Sequence, residues 1–167
     1  MKQLALDIGL APLPSLDNFA SHGNEAALEH LHLWVHNPLR SPVPTLLWGP
    51  PGCGKTHLLQ AVRMALQGQG TPVGWLDAHM AQPPAFDDRW GAVLMDDCHL
   101  FTAAQQAAAF NWFVNAQTPH AGQARWVLAT SDRPPADLQL REDLRTRLGW
   151  GHVFQLQGLA EAERRAV

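Results

Sequence analysis

The sequence is short of cysteine, of net positive charge and of long apolar runs, and each shortage argues against a class of protein. Its two cysteines, Cys53 and Cys98, are too few for a disulfide framework and are typical of a reducing, cytoplasmic setting. The net charge of −3 gives no basic field toward nucleic acid, so we do not expect direct DNA contact. No apolar run approaches membrane-spanning length, so we expect no membrane partner. Asp7, Pro12 and Pro14 interrupt the N-terminal stretch, which argues against a signal peptide.

Apolar and charged residues occur in globular proportions. They make up 46% and 16% of the 167 residues, which fits one compact domain with a substantial core. Apolar periodicity predicts strands at residues 45–48, 72–76, 91–97, 125–129 and 153–156. It predicts helices at residues 24–37, 57–66, 102–118 and 140–148, with Asn24 and Thr102 as the N-caps of the first and third, and a short helical turn around Phe86. Strands that alternate with helices in this way indicate an α/β fold with a parallel sheet.

The residues between the first strand and the following helix form a phosphate-binding pattern. Gly49-Pro50-Pro51-Gly52-Cys53-Gly54-Lys55-Thr56, followed by His57, fits G-x-x-x-x-G-K-[ST]. Glycines let the backbone turn its N–H groups toward an anion, the lysine adds a positive charge, and the threonine offers a hydroxyl to Mg²⁺. The alternative is a glycine-rich turn before an ordinary helix. The pattern predicts a nucleoside phosphate site.

Two carboxylates end the third predicted strand, where a phosphate loop needs an acidic partner. Asp96 would hold the Mg²⁺ through water, and Asp97 would orient or deprotonate the attacking water. A solvated Asp-Asp turn is the alternative. The fourth strand ends in Thr130-Ser131-Asp132, polar groups that would face the γ-phosphate between Lys55 and Asp96 if this strand lies between the first and third. A plain turn before the next two prolines is the alternative.

A short helix near the C-terminal end carries Arg147. If this helix sits on the far flank of the sheet, the arginine is better placed to reach a neighbour's nucleotide than its own. It would then act in trans as an arginine finger, which typically raises hydrolysis by about 10³ to 10⁵. A solvated basic helix face is the alternative.

Taken in order, these motifs resemble the AAA+ module of the replication initiator DnaA. The segments that carry the resemblance are Pro-Pro-Gly-Cys-Gly-Lys-Thr, Val-Leu-Met-Asp-Asp, Thr-Ser-Asp-Arg-Pro-Pro and Asp-Leu-Arg-Thr-Arg-Leu-Gly-Trp-Gly. The resemblance implies a P-loop core with five parallel strands in the order 5-1-4-3-2, ADP or ATP with Mg²⁺ as cofactors, and Asp132 as the first sensor. Leu16 and Phe19 resemble the segment that encloses the adenine.

The first eight residues point to one branch of this family. Gln3, Leu4, Leu6 and Ile8 are similar to the sliding-clamp motif of Hda-type regulatory inactivators of DnaA. A glutamine followed by apolar anchors on an extended arm suits an apolar pocket. Alone, the segment would be read as a plain N-terminal strand. The resemblance implies that DnaA and the clamp (the β subunit of DNA polymerase III) are partners, and that Arg147 stimulates hydrolysis on DnaA.

The implied organisation is an arm at 1–23, an AAA+ core at 24–160 and the start of a truncated helical lid at 161–167. Beyond this start, the C-terminal helical lid of the family is expected to be absent. The alternative to the regulatory reading is an initiator or helicase-loader ATPase that oligomerises on ATP and acts on DNA. Intrinsic ATPase activity and homodimerisation are left open. Cys53, His57, Cys98 and His99 could approach one another and form a zinc site, because the phosphate loop and the end of the third strand are neighbours. Cys53 lies inside the loop, however, and Cys98-His99 lacks zinc-ligand spacing, so no protein-only metal site is expected.

Overall fold

The computed structural model describes residues 23–37, 43–118 and 125–158. Its α-helices are α1 (Glu25–His36), α2 (Lys55–Gly68), α3 (Ala103–Gln117) and α4 (Glu142–Leu148). Its strands are β1 (Thr45–Trp48), β2 (Val73–Leu76), β3 (Ala92–Met95), β4 (Trp126–Ser131) and β5 (His152–Gln155). Two 3₁₀ turns, Cys98–Leu100 and Pro135–Asp137, follow β3 and β4.

The five strands form one parallel sheet in the order β2-β3-β4-β1-β5. This confirms the predicted fold class and strand order. The register pairs Trp48 at the end of β1 with Ser131, and Met95 at the end of β3 with Ala129. Because the strands are parallel, the carboxyl ends of β1, β3 and β4 meet at one edge of the sheet, where ligands bind in open α/β folds.

Alternate residues of the central strands enter two separate cores. Leu47, Leu94 and Leu128 pack beneath α1 and α2 on one face of the sheet. The next residue back on each strand, such as Val93, packs beneath α3 and α4 on the other face. Burial on both faces explains why the central strands read as continuous apolar runs rather than as alternating patterns.

Three details of the sequence prediction are wrong. The fourth strand does not break at Thr130 but runs to Ser131, because Ser131 still pairs with β1 and its carbonyl accepts from the Gly49 amide at 3.1 Å. Residues around Phe86 form no helical turn. Phe86 instead packs edge-on against Trp90, with ring centroids 5.4 Å apart.

The third wrong detail concerns the side chain of Asn24, which does not cap α1. Its Oδ1 accepts from the Gln157 amide at 2.9 Å, and its Nδ2 donates to the Gln157 carbonyl at 3.5 Å. The side chain is therefore used in a long-range contact rather than a local one. By contrast, Thr102 caps α3 as predicted, in a reciprocal arrangement with Gln105.

None of the helices within the described ranges is long and apolar enough to cross a membrane.

Candidate phosphate-binding site

The loop between β1 and α2 takes a shape that glycine makes accessible. Gly52 and Gly54 have positive φ angles of 82° and 92°, and Gly54 directly precedes α2. A Cβ added at Gly52 would meet no atom within 4 Å, whereas one at Gly49 would lie 2.8 Å from the Leu156 carbonyl oxygen. The loop is therefore open on the Gly52 side and closely packed at its base.

The ammonium group of Lys55 is held inside the loop. Lys55 is the first residue of α2, and only 6% of its surface is exposed. Its Nζ donates to the Gly49 carbonyl at 2.7 Å and to the Pro50 carbonyl at 3.0 Å. A buried cation beside a helix N-terminus makes this loop strongly attractive to an anion.

Asp96 is the centre of a network that joins three segments of the chain. The Thr56 hydroxyl donates to its Oδ2, and the Thr130 hydroxyl donates to its Oδ1, each at 2.7 Å. The Asp97 amide in turn donates to the Thr130 hydroxyl at 2.8 Å. These contacts tie the end of β3 to the start of α2 and the end of β4, so the acidic group is fixed in place.

The environment of Asp96 is unfavourable for an uncompensated negative charge. Burial raises the pKa of this carboxyl, the hydroxyls of Thr56 and Thr130 lower it, and the charges of Asp97 and Asp77 raise it, with a net increase. A bound cation would relieve that penalty. The hydroxyl and carboxylate oxygens gathered here are the hard ligands that Mg²⁺ prefers, so the residues fit a magnesium ion.

A cavity of about 530 Å³ connects the loop to the ends of β3 and β4. Asp97, which has a φ of 51°, and the predicted sensor Asp132 both line it, together with the following residues of the loop and the 3₁₀ turn: Pro51, Gly52, Gly54, Lys55, Thr56, His57, His99 and Leu100. The structure thus brings the predicted loop residues together with Asp97 and Asp132 around one space. Cys53 is fully buried beneath the loop, whereas Pro50 is exposed.

The polar side chains at the end of β4 are used differently from what the sequence indicated. Thr130 contacts Asp96, whereas Asp132 accepts from the Arg133 guanidinium at 3.0 Å. The Asp132 amide donates to Nδ1 of His99 at 3.2 Å. Burial works against ionisation of Asp132, but the hydrogen bond from Arg133 and the charge of His99 leave its pKa lowered.

Sequence reasoning did not assign a role to three residues beside this network. The sequence assigns His99 only a candidate zinc role, although it lies two residues after the acidic pair Asp96-Asp97. Asp77 follows β2 and accepts from Nε1 of Trp75 at 2.8 Å. The guanidinium of Arg63 lies 4.9 Å from the centre of the Trp75 ring. Asp77, Trp75 and Arg63 line a second cavity, of about 390 Å³, on the β2 side of Asp96. The position of Asp77 at a strand end was the available signal.

Arg147 lies on α4 and is not among the residues that line the loop cavity. Its guanidinium donates to Gln117 Oε1 at 2.9 Å and lies 5.1 Å from the centre of the Phe110 ring. These residues line a groove of about 600 Å³ between α3 and α4, together with Trp150, which is 60% exposed. Arg147 therefore lies on a surface separate from the phosphate-loop cavity.

The two cysteines lie in different cores. Cys53 packs with the α1–α2 face of the sheet, and Cys98 packs with the α3–α4 face. The two cysteines therefore lie on opposite faces of the sheet, whereas His57 and His99, the other two residues of the candidate zinc set, both line the loop cavity. Burial raises the pKa of the Cys98 thiol. The clamp-motif residues Gln3, Leu4, Leu6 and Ile8, the adenine-pocket residues Leu16 and Phe19, and the lid segment 161–167 lie outside the described residues.

No protein-family model matches the chain. Solved structures of similar fold include a DNA replication initiation factor, with 21% identity and a TM-score of 0.75 over 95% of this chain and 54% of that chain. They include domain III of DnaA from Thermotoga maritima, with 21% identity and a TM-score of 0.73 over 93% and 72%. AMPPCP-bound DnaA from Aquifex aeolicus has 23% identity and a TM-score of 0.70 over 89% and 51%.

The chain thus spans about half the length of the first and third of these structures. The similarity concerns the fold alone, and the described core shares the fold of these DnaA and replication-initiation structures.

Proposed function

We propose that this protein binds ADP or ATP together with Mg²⁺ in the cavity beside the phosphate loop. The observation that supports the proposal is the Thr56–Asp96–Thr130 network, in which hydroxyl and carboxylate oxygens gather at the start of α2, next to the loop lysine. The loop amides and Lys55 would hold the phosphates. Thr56 would offer its hydroxyl to the metal, and Asp96 would hold the metal through water. Asp97 would orient the attacking water.

The bound ligand of a structural neighbour supports this choice. AMPPCP, a triphosphate analogue, is bound to the Aquifex aeolicus DnaA whose fold resembles this one. The glycine positions of the loop and its open side leave room for phosphate oxygens. A nucleotide rather than a free phosphate is favoured because the cavity continues from the loop to the ends of β3 and β4.

We propose further that the protein is a cytoplasmic regulator of replication initiation that binds the DNA sliding clamp and stimulates ATP hydrolysis by DnaA. Gln3, Leu4, Leu6 and Ile8 would engage the clamp, and Arg147 would complete the hydrolytic site on DnaA. The position of Arg147 supports this role. The arginine does not line the phosphate-loop cavity of its own chain, and it lines the α3–α4 groove together with the exposed Trp150. Its own nucleotide would then serve mainly to set the shape of the core.

The experiment that tests this regulatory function is clamp capture by wild type, Gln3→Ala, Leu4→Ala and a matched control, Lys2→Ala. We expect the first two variants to lose most of the capture and the control to retain it, because the glutamine and the leucine anchors supply the specific contacts. All four proteins should bind ADP equally by calorimetry. Full clamp capture by both Gln3→Ala and Leu4→Ala would remove the support for a clamp-bound regulator.

An ATPase core of an initiator or helicase loader is the second candidate. It is favoured by the position of Asp97, whose amide donates to Thr130 and which lines the cavity with Lys55. This candidate predicts ATP hydrolysis by the isolated protein, loss of that activity in Asp97→Asn, and ATP-dependent oligomers. The regulatory function predicts slow intrinsic turnover and strong stimulation of DnaA. Measurement of both rates with the same preparation separates the two candidates.

A further inference from the structure

His99 occupies a position in the loop cavity that the proposed function does not yet use. It lies in the 3₁₀ turn after β3, and its side chain is 17% exposed. It lines the cavity with Lys55 and Asp132. A partly buried imidazole that faces an anion site can act as a hydrogen-bond donor if the right nitrogen carries the proton.

The contacts of Nδ1 indicate which nitrogen that is. The Asp132 amide donates to Nδ1 at 3.2 Å, and an Asp132 carboxylate oxygen lies 3.7 Å from the same nitrogen. Nδ1 is therefore the acceptor for the amide when the ring is neutral, and the charged ring carries a proton on Nε2 as well. The proton of the neutral imidazole then resides on Nε2. The backbone of the turn after β4 thus presets the donor on the other ring nitrogen.

The charges on this side of the cavity explain why a donor is needed. Opposite the loop, the lining residues contributed by the chain after β3 and β4 are Asp97, His99, Leu100 and Asp132. Two of these carry carboxylates, which repel a phosphate. The imidazole supplies a side-chain N–H among them, while Arg133 is committed to Asp132 at 3.0 Å and 3.3 Å. The phosphate farthest from the loop would meet this side first.

We propose that Nε2 of His99 donates a hydrogen bond to the terminal phosphate of a bound nucleoside triphosphate and thereby distinguishes it from a diphosphate. This inference rests on the proposed nucleotide binding and assigns a specificity-determining residue to that same site. The phosphates nearest the loop would be held by Lys55 and the loop amides in both nucleotides. Only the third phosphate would reach His99.

Two substitutions at this position separate the donor from the structural contact. In His99→Gln the side-chain amide nitrogen reaches about as far as Nε2 and keeps a donor there. In His99→Asn the shorter side chain can still accept from the Asp132 amide in place of Nδ1, but it places no donor at the Nε2 position. Calorimetry on both variants and wild type would use ADP and the non-hydrolysable analogue AMPPCP, each with Mg²⁺.

We expect His99→Asn to weaken AMPPCP binding roughly 10-fold or more, as for the loss of a hydrogen bond to a charged group, and to change ADP binding less than twofold. His99→Gln should stay within a few-fold of wild type for both ligands. An equal loss for both ligands in His99→Asn, or no loss for either, would overturn the inference while leaving nucleotide binding intact. Failure of wild type to bind either ligand would instead refute the proposed function, and this inference with it.

A measurement on the unaltered protein guards against variants that do not fold. Proton–nitrogen NMR of ¹⁵N-histidine-labelled protein should show a ring with a protonated Nε2 and an unprotonated Nδ1. That signal should shift on addition of AMPPCP and stay nearly unchanged on addition of ADP. The His99→Gln spectrum identifies the ring among the nine histidines. A protonated Nδ1, or the same shift with both nucleotides, would contradict the assignment.

Discussion

The phosphate-loop site and the Arg147 surface are held in opposite ways. At the loop, Asp96 after β3 accepts from Thr56 of α2 and from Thr130 of β4, and Thr130 and Ser131 have no exposed surface. At α4, Arg147 donates a hydrogen bond to Gln117 Oε1 and contacts the Phe110 ring on the groove between α3 and α4. The first arrangement fixes its groups for a ligand that enters the fold. The second leaves an arginine where a partner could take it over.

The largest effect that would test this difference is expected from Arg147→Ala. Stimulation of DnaA hydrolysis should fall by about 10³ or more, the range typical of arginine fingers. Affinity for ADP should not change, because Arg147 does not line the loop cavity. Single-turnover hydrolysis by DnaA in the presence of clamp and calorimetry with ADP measure the two quantities. Arg145→Ala, on the same helix, is the matched control, and equal stimulation by Arg147→Ala would refute the finger assignment.

The complementary change on the loop side is Lys55→Ala. Removal of the buried ammonium should weaken ADP and ATP binding roughly 10-fold to 100-fold, since a charge-assisted hydrogen bond contributes about 1.5–3 kcal/mol. Calorimetry gives the affinity, and circular dichroism verifies the fold, because Lys55 also bonds to the loop carbonyls. Arg89→Ala, an exposed cation remote from the loop, should bind as wild type does. Unchanged affinity in a folded Lys55→Ala protein would contradict the site.

A pair of stability measurements would sharpen the comparison further. Thr130→Val removes a buried donor to Asp96 and the acceptor of the part-buried Asp97 amide. We expect the free energy of unfolding to fall by about 1–3 kcal/mol, the cost of leaving buried groups unpaired. Gln117→Ala, at the partly exposed Arg147 surface, should cost less than about 0.5 kcal/mol. Urea unfolding measures both, and equal costs would mean that the two regions are not differently held.

The smallest effect is expected from Asp96→Asn in the absence of metal and nucleotide. Unlike the preceding variants, this one should raise the free energy of unfolding. Burial raises the pKa of Asp96 above its ordinary value of 3.8 in the folded protein. The destabilisation is absent below pH 3.8 and grows as pH rises through the folded-state pKa. The variant should therefore be more stable than wild type at pH 7 and similar near pH 3. Thermal unfolding across pH checks this, with the exposed Asp137→Asn as control. A less stable variant at pH 7 would show that the carboxylate is not strained.

Much of the fold and of the loop could be predicted because the necessary information is local. The glycines of the loop, the apolar run of β3 and its terminal carboxylates all lie within short segments, and the structure places them as a parallel α/β fold requires. The role of Thr130 depends instead on the register of two strands. Because Met95 pairs with Ala129, the next residues, Asp96 and Thr130, come side by side. Sequence periodicity does not contain that register.

The same reason explains the wrong assignment at Asn24 and the missed histidine. An asparagine before a helix is ordinarily a cap, and only the tertiary structure brings Gln157 within 2.9 Å of its side chain. The sequence offers His99 only a candidate zinc role, since its contact with the Asp132 amide joins residues 33 positions apart and leaves no local pattern. In each case a side chain with an obvious local use is engaged by a distant part of the backbone.

The bond between Asn24 and Gln157 has a mechanical consequence for the phosphate loop. Gln157 follows Leu156, whose amide donates to Trp48 at 2.7 Å and whose carbonyl oxygen would lie 2.8 Å from a Cβ at Gly49. Leu156 and Gln157, which follow β5, therefore join the base of the loop to the residue that precedes α1. We expect a displacement of the loop base to act on Leu156 and, through Gln157, on Asn24, and so to couple the ligand site to the end of the described core and to the start of α1.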